Sequence, residues 1–150
     1  MSILFEMTEE FRENLENQGI VFEKTTFNKN DFIFNYGWIR KHQISMFGKD
    51  FNINISADAY YNYEVITNEQ LSAINDFLSN ENKIISNVEK ILIKDYNGKQ
   101  NVVKRLIPIL IKIRKNGDYA ILFDDVKYPD EGIAVTIKPK MEVVSQDVYL

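Results

Sequence analysis

The sequence contains no cysteine, which excludes disulfides, cysteine nucleophiles and thiolate metal ligands. It contains a single histidine, His42, so a triad of the Ser-His-Asp type would have to be built on that residue. His42 lies between Lys41 and Gln43, and no serine has the G-x-S-x-G context of a nucleophile elbow. We therefore interpret His42 as a solvated strand histidine and predict no catalytic residue.

Glycine is also sparse, and its six occurrences are scattered singly. Phosphate-cradling loops need clustered glycines at fixed spacing, so the sequence predicts no nucleotide or other cofactor site. Each glycine is better explained as part of a turn.

Long apolar runs are missing as well. No stretch approaches the roughly 20 apolar residues that cross a bilayer, and residues 1–7 lack the basic start and apolar run of a signal peptide. We therefore expect a cytoplasmic protein without membrane contact. The net charge of −4 argues against direct nucleic-acid binding, which needs a clustered basic face.

What the sequence does contain is enough apolar material for a core. Hydrophobic residues make up 45% and aromatic residues 13% of its 150 positions. A chain of this length can bury roughly two thirds of its unfolded surface in one core. We predict a single domain spanning residues 1–150, and the oligomeric state is left open.

A helical segment over residues 66–96 is the central element that the sequence predicts. Thr67 and Gln70 have the spacing of a capping box. Apolar residues then recur at helical spacing and form one stripe against a sheet; they are Leu71, Ile74, Leu78, Ile85, Val88 and Leu92. Polar residues 79–82 interrupt this stripe, so one long helix and two shorter ones, the second capped by Ser79 or Asn80, both remain open. A short helix from Thr8, ending near Gly19, is also predicted.

The remainder of the sequence has strand character. Phe51, Ile53 and Ile55 alternate with polar residues, as in a strand with one buried face. Residues 106–114 and 119–123 form a hairpin in which Asn116 and Gly117 predict a type I′ turn. Pro108 makes the first arm an edge strand, or one that pairs only after the proline. A hairpin over residues 21–26 and 31–36, and strands over 38–47, 133–137 and 141–144, complete the prediction. The fold class is therefore α+β, a mainly antiparallel sheet with the helical segment on one face and a short N-terminal helix.

Two groups of residues are candidates for binding. The first is an acidic turn, which is open to three interpretations: a hard-cation site, a surface that docks a basic partner, or a solvated turn. It comprises Asp124, Asp125, Asp130 and Glu131. The second is Tyr60, Tyr61 and Tyr63, which either anchor an interface, where tyrosine is enriched, or pack on the sheet.

Two parts of the chain resemble a small bacterial domain family found among immunity proteins of polymorphic toxin systems. The first part is residues 38–96, with the Phe47-Gly48-Lys49 turn and the Ile66-Thr67-Asn68-Glu69-Gln70 helix start. The second is the ending, with the runs YAILFD, DEGIAV and VSQDVYL. The resemblance implies no catalytic, cofactor or metal residues. It implies a protein that binds a cognate toxin C-terminal domain and blocks it stoichiometrically.

The first functional hypothesis is accordingly an immunity protein of a polymorphic toxin or contact-dependent growth inhibition system, whose toxin could be a nuclease. A basic toxin would meet the acidic turn, and the tyrosines are the alternative contact surface. The alternatives are a small enzyme that uses carboxylates and a metal, and a scaffold or regulatory module unrelated to toxins.

Overall fold

The structure is a computed structural model that describes residues 5–6 and 31–150. The predicted helix after Thr8 and the predicted strand over residues 21–26 lie outside the described residues. The described strands form one sheet in the order β1 to β8, and they are β1 (Phe5–Glu6), β2 (Ile33–Phe34), β3 (Trp38–Met46), β4 (Lys49–Ala57), β5 (Leu106–Ile113), β6 (Tyr119–Asp125), β7 (Ile133–Lys138) and β8 (Glu142–Ser145). The helices are α1 (Asn68–Ser79), α2 (Glu81–Asp95) and α3 (Lys99–Arg105), and a 3₁₀ helix, Gln146–Tyr149, closes the chain.

The sheet is antiparallel at every described pairing except that of β4 with β5. These two strands run parallel, from Asn54 opposite Leu110 to Ala57 opposite Ile113. Parallel neighbours need a crossover connection, and the three helices supply it on one face of the sheet. The prediction of an α+β fold with a mainly antiparallel sheet and a helical segment on one face is confirmed. Among the described residues, no helix is long and apolar enough to cross a membrane.

The central helical segment is two helices, α1 and α2, that meet at Asn80. The capping box is present, since Thr67 Oγ1 accepts from the Gln70 N–H at 3.1 Å and Gln70 Oε1 accepts from the Thr67 N–H at 2.9 Å. Asn80 precedes α2 but does not cap it with its side chain, which donates backward to the Asp76 carbonyl at 3.0 Å.

Helix α3 is an element that the sequence analysis missed. Asn97 and Gly98, with φ of +58° and +137°, end α2 as expected, but the chain then forms another helix of seven residues. Its apolar content is small, with Val102 as its only buried residue. A helix of this length contains too few apolar residues for a helical period to be detected.

The predicted apolar stripe is the helical half of the core. Leu71, Ile74, Val88 and Leu92 are fully buried, while Leu78 is only partly buried. They pack with the helix-facing side chains of the sheet, among them Ile55, Ile111 and Ile121. A smaller cluster on the outer face joins Leu122 and Ala134 to Tyr149 of the 3₁₀ helix.

The type I′ hairpin turn lies at a different place from the one predicted. Phe47 and Gly48 connect β3 to β4 with φ of +51° and +75°, and Met46 pairs with Lys49, as a two-residue I′ turn requires. Asn116 lies in a longer loop instead, where the Gly117 N–H bonds to the Arg114 carbonyl at 2.9 Å and only Gly117 has positive φ, +93°. This is a type I turn followed by a glycine bulge. A Cβ on Gly117 would lie 2.9 Å from the Glu69 carbonyl oxygen. The close approach of α1 therefore determines the conformation of this loop.

The sequence left two alternatives for Pro108, an edge strand or a strand that pairs only after the proline, and the position of β5 decides between them. The strand lies between β4 and β6, so it is not an edge strand. It pairs with β4 only from Leu110 onward, because proline has no N–H to donate. Its pairing with β6 shows a register shift between Pro108 and Leu110.

His42 is not the solvated residue that we expected. Its side chain is only 14% exposed, and Nε2 lies 2.6 Å from Glu81 Oε1. Its ring meets the edge of Phe77 at 5.9 Å between centroids. Glu81 lies 39 positions away along the chain, so local sequence carries no sign of this pair.

Candidate protein-binding surface

The carboxyl ends of the parallel strands β4 and β5 lie side by side. We call this end of the sheet the tyrosine end. Ala57 and Ile113 are paired there. The loop over residues 58–66 follows β4, and the turn over residues 114–118 follows β5. Loops at the carboxyl ends of parallel strands are common places for binding residues, because a rigid sheet positions them.

Three tyrosines on the first of these loops project into solvent. Tyr60, Tyr61 and Tyr63 are 81%, 57% and 63% exposed. The rings of Tyr61 and Tyr63 stack in parallel, with centroids 5.2 Å apart and an interplanar angle of 3°. Of the two interpretations that the sequence left open, packing on the sheet is therefore wrong, and the tyrosines are available for contact.

Glu64 holds the backbone of this loop. Its Oε1 accepts hydrogen bonds from the N–H groups of Tyr60 and Tyr61 at 2.9 and 3.0 Å. Its Oε2 pairs with the ammonium group of Lys115. The hydrogen bond from Lys115 and those two N–H groups hold the pKa of Glu64 below its ordinary value, against a smaller opposing effect of burial. Lys115 Nζ also lies 4.5 Å from the centre of the Tyr60 ring, within the range of a cation–π interaction.

Buried side chains anchor the same loop to the core. The fully buried Gln70 donates from Nε2 to the carbonyls of Asp58 and Ile113 at 3.0 and 3.2 Å. Trp38, also fully buried, donates from Nε1 to the Glu64 carbonyl at 2.6 Å. The sequence identified Gln70 only as a helix cap. Its second role depends on groups 12 and 43 positions away, and no local signal could have found it.

The C-terminus completes the surface. Arg114 donates to the Val148 carbonyl, and its guanidinium carbon lies 4.0 Å from the centre of the Tyr149 ring. Val148 and Leu150 are 52% and 73% exposed. Together with Tyr36 and Tyr60 they line an open groove of about 620 Å³.

Tyr36 occupies the turn between β2 and β3, with φ of +57° and 92% exposure. A bulky residue in the left-handed region is uncommon and costs about 1–2 kcal/mol. The sequence analysis did not single it out. We call the set Tyr36, Tyr60, Tyr61, Tyr63, Val148 and Leu150 the tyrosine surface.

The charges around the tyrosine surface are mixed and mostly paired. Besides the Glu64 pair, Lys112 Nζ lies 3.8 Å from Asp58 Oδ1. Burial raises the pKa of Asp58, and Lys112, Arg114 and Lys115 oppose that effect. Three cations, Lys112, Arg114 and Lys115, line the groove against one side-chain carboxylate, Asp58. The groove therefore presents aromatic and apolar groups among charges with a positive excess, a mixture that protein interfaces also contain.

The predicted acidic turn lies at the other end of the sheet, which we call the acidic end. Strand β6 runs from Tyr119 at the tyrosine end to Asp125 at the acidic end, a distance of about 20 Å at ~3.4 Å per residue. Asp124, Asp130 and Glu131 are exposed there. Among residues 31–150, no group of three or more His, Asp or Glu side chains is arranged to hold a metal ion.

Asp125 differs from the other three acids because it is only 3% exposed and paired. Arg105 Nη2 lies 2.6 Å from its Oδ2, and the Lys127 N–H donates to Oδ1 at 2.9 Å. The Arg105 guanidinium also lies over the rings of Tyr96 and Tyr128, 5.1 and 5.3 Å from their centres. Burial opposes ionisation of Asp125, but these donors outweigh it and lower its pKa. Asp125 therefore holds the end of the sheet and is not exposed to a partner.

The run VSQDVYL, on which the family resemblance partly depends, has a structural role; we call it the closing motif. Gln146 donates from Nε2 to the Phe123 carbonyl at 3.1 Å, directly over Gly132, and its N–H donates to the Gly132 carbonyl at 3.0 Å. A Cβ on Gly132 would lie 2.6 Å from both the Phe123 oxygen and Gln146 Nε2. Ser145 caps the 3₁₀ helix by accepting from the Asp147 N–H at 3.3 Å. These residues fasten the C-terminus across the outer face of the sheet.

The fold and the site thus define a small α+β domain with a pre-arranged aromatic surface at one end of a single sheet. The model of a domain of unknown function, DUF6985, matches residues 21–147, and the chain belongs to this family. No curated protein and no solved structure matches the chain.

Proposed function

We propose that this chain is a protein-binding domain that acts by stoichiometric occlusion, and that it is an immunity protein whose partner is a toxin domain. The observation that carries the proposal is the tyrosine loop: three exposed rings on a backbone that Glu64, Gln70 and Trp38 hold in place. The resemblance to immunity proteins supplies the class of partner.

The tyrosine surface has the properties of an interface anchor. Tyrosine contributes a large contact area with few rotatable bonds, and it is enriched among residues that dominate binding energy. Because the loop is already ordered by hydrogen bonds from buried groups, little conformational entropy is lost when a partner binds. Aromatic rings that stack on each other at the surface still expose apolar area to water. This area is removed from water only when another surface covers it.

Occlusion requires no chemistry from the immunity protein. A toxin domain is inactive while its substrate-binding surface is covered, and release depends only on the dissociation rate. The exposed carboxylates at the acidic end, with the net charge of −4, would speed association with a basic toxin such as a nuclease. In this proposal the tyrosines determine the dissociation rate, and Asp124, Asp130 and Glu131 contribute to affinity through the association rate.

The test is capture of the partner, followed by rescue of growth. The full chain is used as bait in the source bacterium, and the captured protein is identified by mass spectrometry. It is then co-expressed with the chain in a sensitive host. We expect the C-terminal domain of a secreted toxin to be captured and its toxicity to be abolished. A partner that is not toxic, or toxicity that persists on co-expression, would refute the immunity function.

Matched variants locate the contact. Replacing Tyr60, Tyr61 and Tyr63 by alanine should weaken binding at least 100-fold, since truncating anchors costs ~1–4 kcal/mol each. Tyr128→Ala, at an exposed site of the acidic end, is the matched control and should leave affinity unchanged. Circular dichroism establishes that both proteins are folded. Equal affinities for the two variants would remove the tyrosine surface from the interface.

A further inference from the structure

An apolar pocket of about 250 Å³ opens at the acidic end of the sheet, on the face that the helices cover. The β3–β4 hairpin, helix α3, the start of β5 and the end of β6 form its walls. Its lining includes Phe47, Phe51, Val103, Ile107, Phe123 and Val126. An engineered cavity of about 150 Å³ is large enough to bind benzene, so this pocket has room for a larger apolar group.

The rim of the pocket is apolar as well. Val103, Ile107 and Val126 are 36%, 43% and 54% exposed, and all three line the same concavity. Single exposed aliphatic residues are normal on a protein surface, but several around one pocket mark a binding site.

One wall of the pocket is built on an unfavourable backbone conformation. Phe47 has φ of +51°, in the left-handed region where asparagine or glycine is preferred in this turn type. Glu89 of α2 accepts a hydrogen bond from the Phe47 N–H at 2.7 Å and so holds the turn. Strained positions of this kind persist where the surroundings fix them, and they are concentrated at functional sites.

The charged side chains that line the pocket are both cationic. Lys49 and Lys104 are the charged residues that line the pocket, and neither has an ion pair with any residue that the structure describes. Of the nearby carboxylates, Asp125 is paired with Arg105, Asp124 lies opposite Ile107 in the β5–β6 pairing and meets Gln146 of the 3₁₀ helix, and Glu89 accepts a hydrogen bond from the Phe47 N–H. The site thus combines an apolar interior with a cationic entrance.

We propose that this pocket binds a free medium-chain fatty acid, with its hydrocarbon chain among the apolar side chains and its carboxylate between Lys49 and Lys104. Burial of the chain would supply most of the affinity, at about 25 cal/mol per Å² of apolar surface. The lysines would supply the preference for an acid over a neutral head group. The site is separate from the tyrosine surface, and this inference does not depend on the proposed function.

The test is calorimetric titration of the full chain with decanoate and with decanol, both below their aggregation concentrations. We expect saturable binding of one decanoate per chain and about two- to thirtyfold weaker binding of decanol, the factor that two exposed ion pairs of ~0.2–1 kcal/mol each can give. Absence of saturable decanoate binding would overturn the proposal. Binding to anionic phospholipid vesicles without binding of monomeric decanoate would overturn it too, in favour of a membrane surface.

Two pairs of variants distinguish the pocket from other apolar surface. Ile107→Asp places a negative charge at the entrance and should reduce decanoate binding more than tenfold, whereas Val148→Asp, at an exposed apolar site of the tyrosine surface, should not. Replacing Lys49 and Lys104 by glutamine should bring decanoate down to the affinity of decanol and leave decanol unchanged. The control changes Lys41 and Lys138, which do not line the pocket, to glutamine. Equal losses in a variant and its control would refute the site, and circular dichroism verifies that each variant is folded.

Discussion

The two ends of the sheet use similar residues for different purposes. At the tyrosine end, buried Gln70 and Trp38 and the partly buried Glu64 hold a loop whose aromatic rings face solvent. At the acidic end, the aromatic rings of Tyr96 and Tyr128 flank a guanidinium that neutralises the buried Asp125. A tyrosine or an aspartate is therefore exposed at one end of the sheet and part of a buried ion-pair network at the other, and the residue type alone does not decide which.

The comparison makes Asp125 the most sensitive of the four acids at the acidic end. Asp125→Ala removes the partner of Arg105 and leaves the Lys127 N–H without an acceptor, so we expect a loss of about 3 kcal/mol in the free energy of unfolding. Asp124→Ala, one position away but exposed, should change it by less than about 0.5 kcal/mol. Urea unfolding at neutral pH measures both. Similar losses in the two variants would contradict the distinction drawn between the buried Asp125 and the exposed Asp124.

The corresponding change at the tyrosine end is Gln70→Met. It keeps the side-chain volume but removes the two hydrogen bonds that Nε2 donates to backbone carbonyls. The Asp58 carbonyl then loses its donor, the Ile113 carbonyl keeps only the Asp58 N–H, and the Thr67 N–H loses its capping-box acceptor, so we expect a loss of about 2 kcal/mol in stability. Amide exchange should also accelerate over residues 58–66, because the loop loses its anchor. Gln43→Met, at an exposed position of β3, is the control. Unchanged exchange in the Gln70 variant would show that other contacts order the loop.

The closing motif at the acidic end predicts a steric effect. Gly132→Ala places a Cβ 2.6 Å from the Phe123 carbonyl oxygen and from Gln146 Nε2, and we expect a loss of about 1–2 kcal/mol. Adding Gln146→Ala should relieve only part of it, since the carbonyl is backbone and cannot move away. A double-mutant cycle by thermal unfolding measures the coupling. Full recovery in the double variant would contradict this assignment.

The smallest expected effect is a pH dependence of the tyrosine loop. The pKa of Glu64 is lowered in the folded protein, so its contribution is present above its ordinary pKa and is lost as the pH falls through the folded value. The pKa of Lys115 is raised by Glu64, so its contribution is lost only as the pH rises through that higher value. The protection factors of the Tyr60 and Tyr61 amides, which are corrected for the intrinsic exchange rate, should therefore fall in acid, and Glu64→Gln should abolish the change. Equal acid sensitivity in that variant would exclude Glu64 as its origin.

Much of the fold follows from local patterns that sequence analysis can detect. The capping box of α1, the apolar stripe and the hairpin of β5 with β6 were predicted correctly, because each depends on residues within a few positions of one another. The I′ turn lies at Phe47-Gly48, for which no turn type was predicted, and the predicted turn type was wrong at Asn116-Gly117. Local propensity favours Asn-Gly there, but contact with Glu69 and the pairing register decide the turn.

The candidate site was predictable only as a list of residue types. The sequence left Tyr60, Tyr61 and Tyr63 open between interface anchors and sheet packing, and it grouped four acids as one turn. It could not show that Asp125 is buried with Arg105, 20 positions away, or that Tyr36 and Leu150 lie beside Tyr60.

By itself the sequence determined the fold class, the helical core face and the lack of cysteine chemistry, since composition and short-range periodicity carry that information. Only the tertiary structure decided that β4 and β5 run parallel, which brings the loops after them to one edge. The partners that hold the tyrosines, such as Glu64 and Lys115, are 51 positions apart. Contacts over such separations form when the whole chain packs, and no local pattern encodes them.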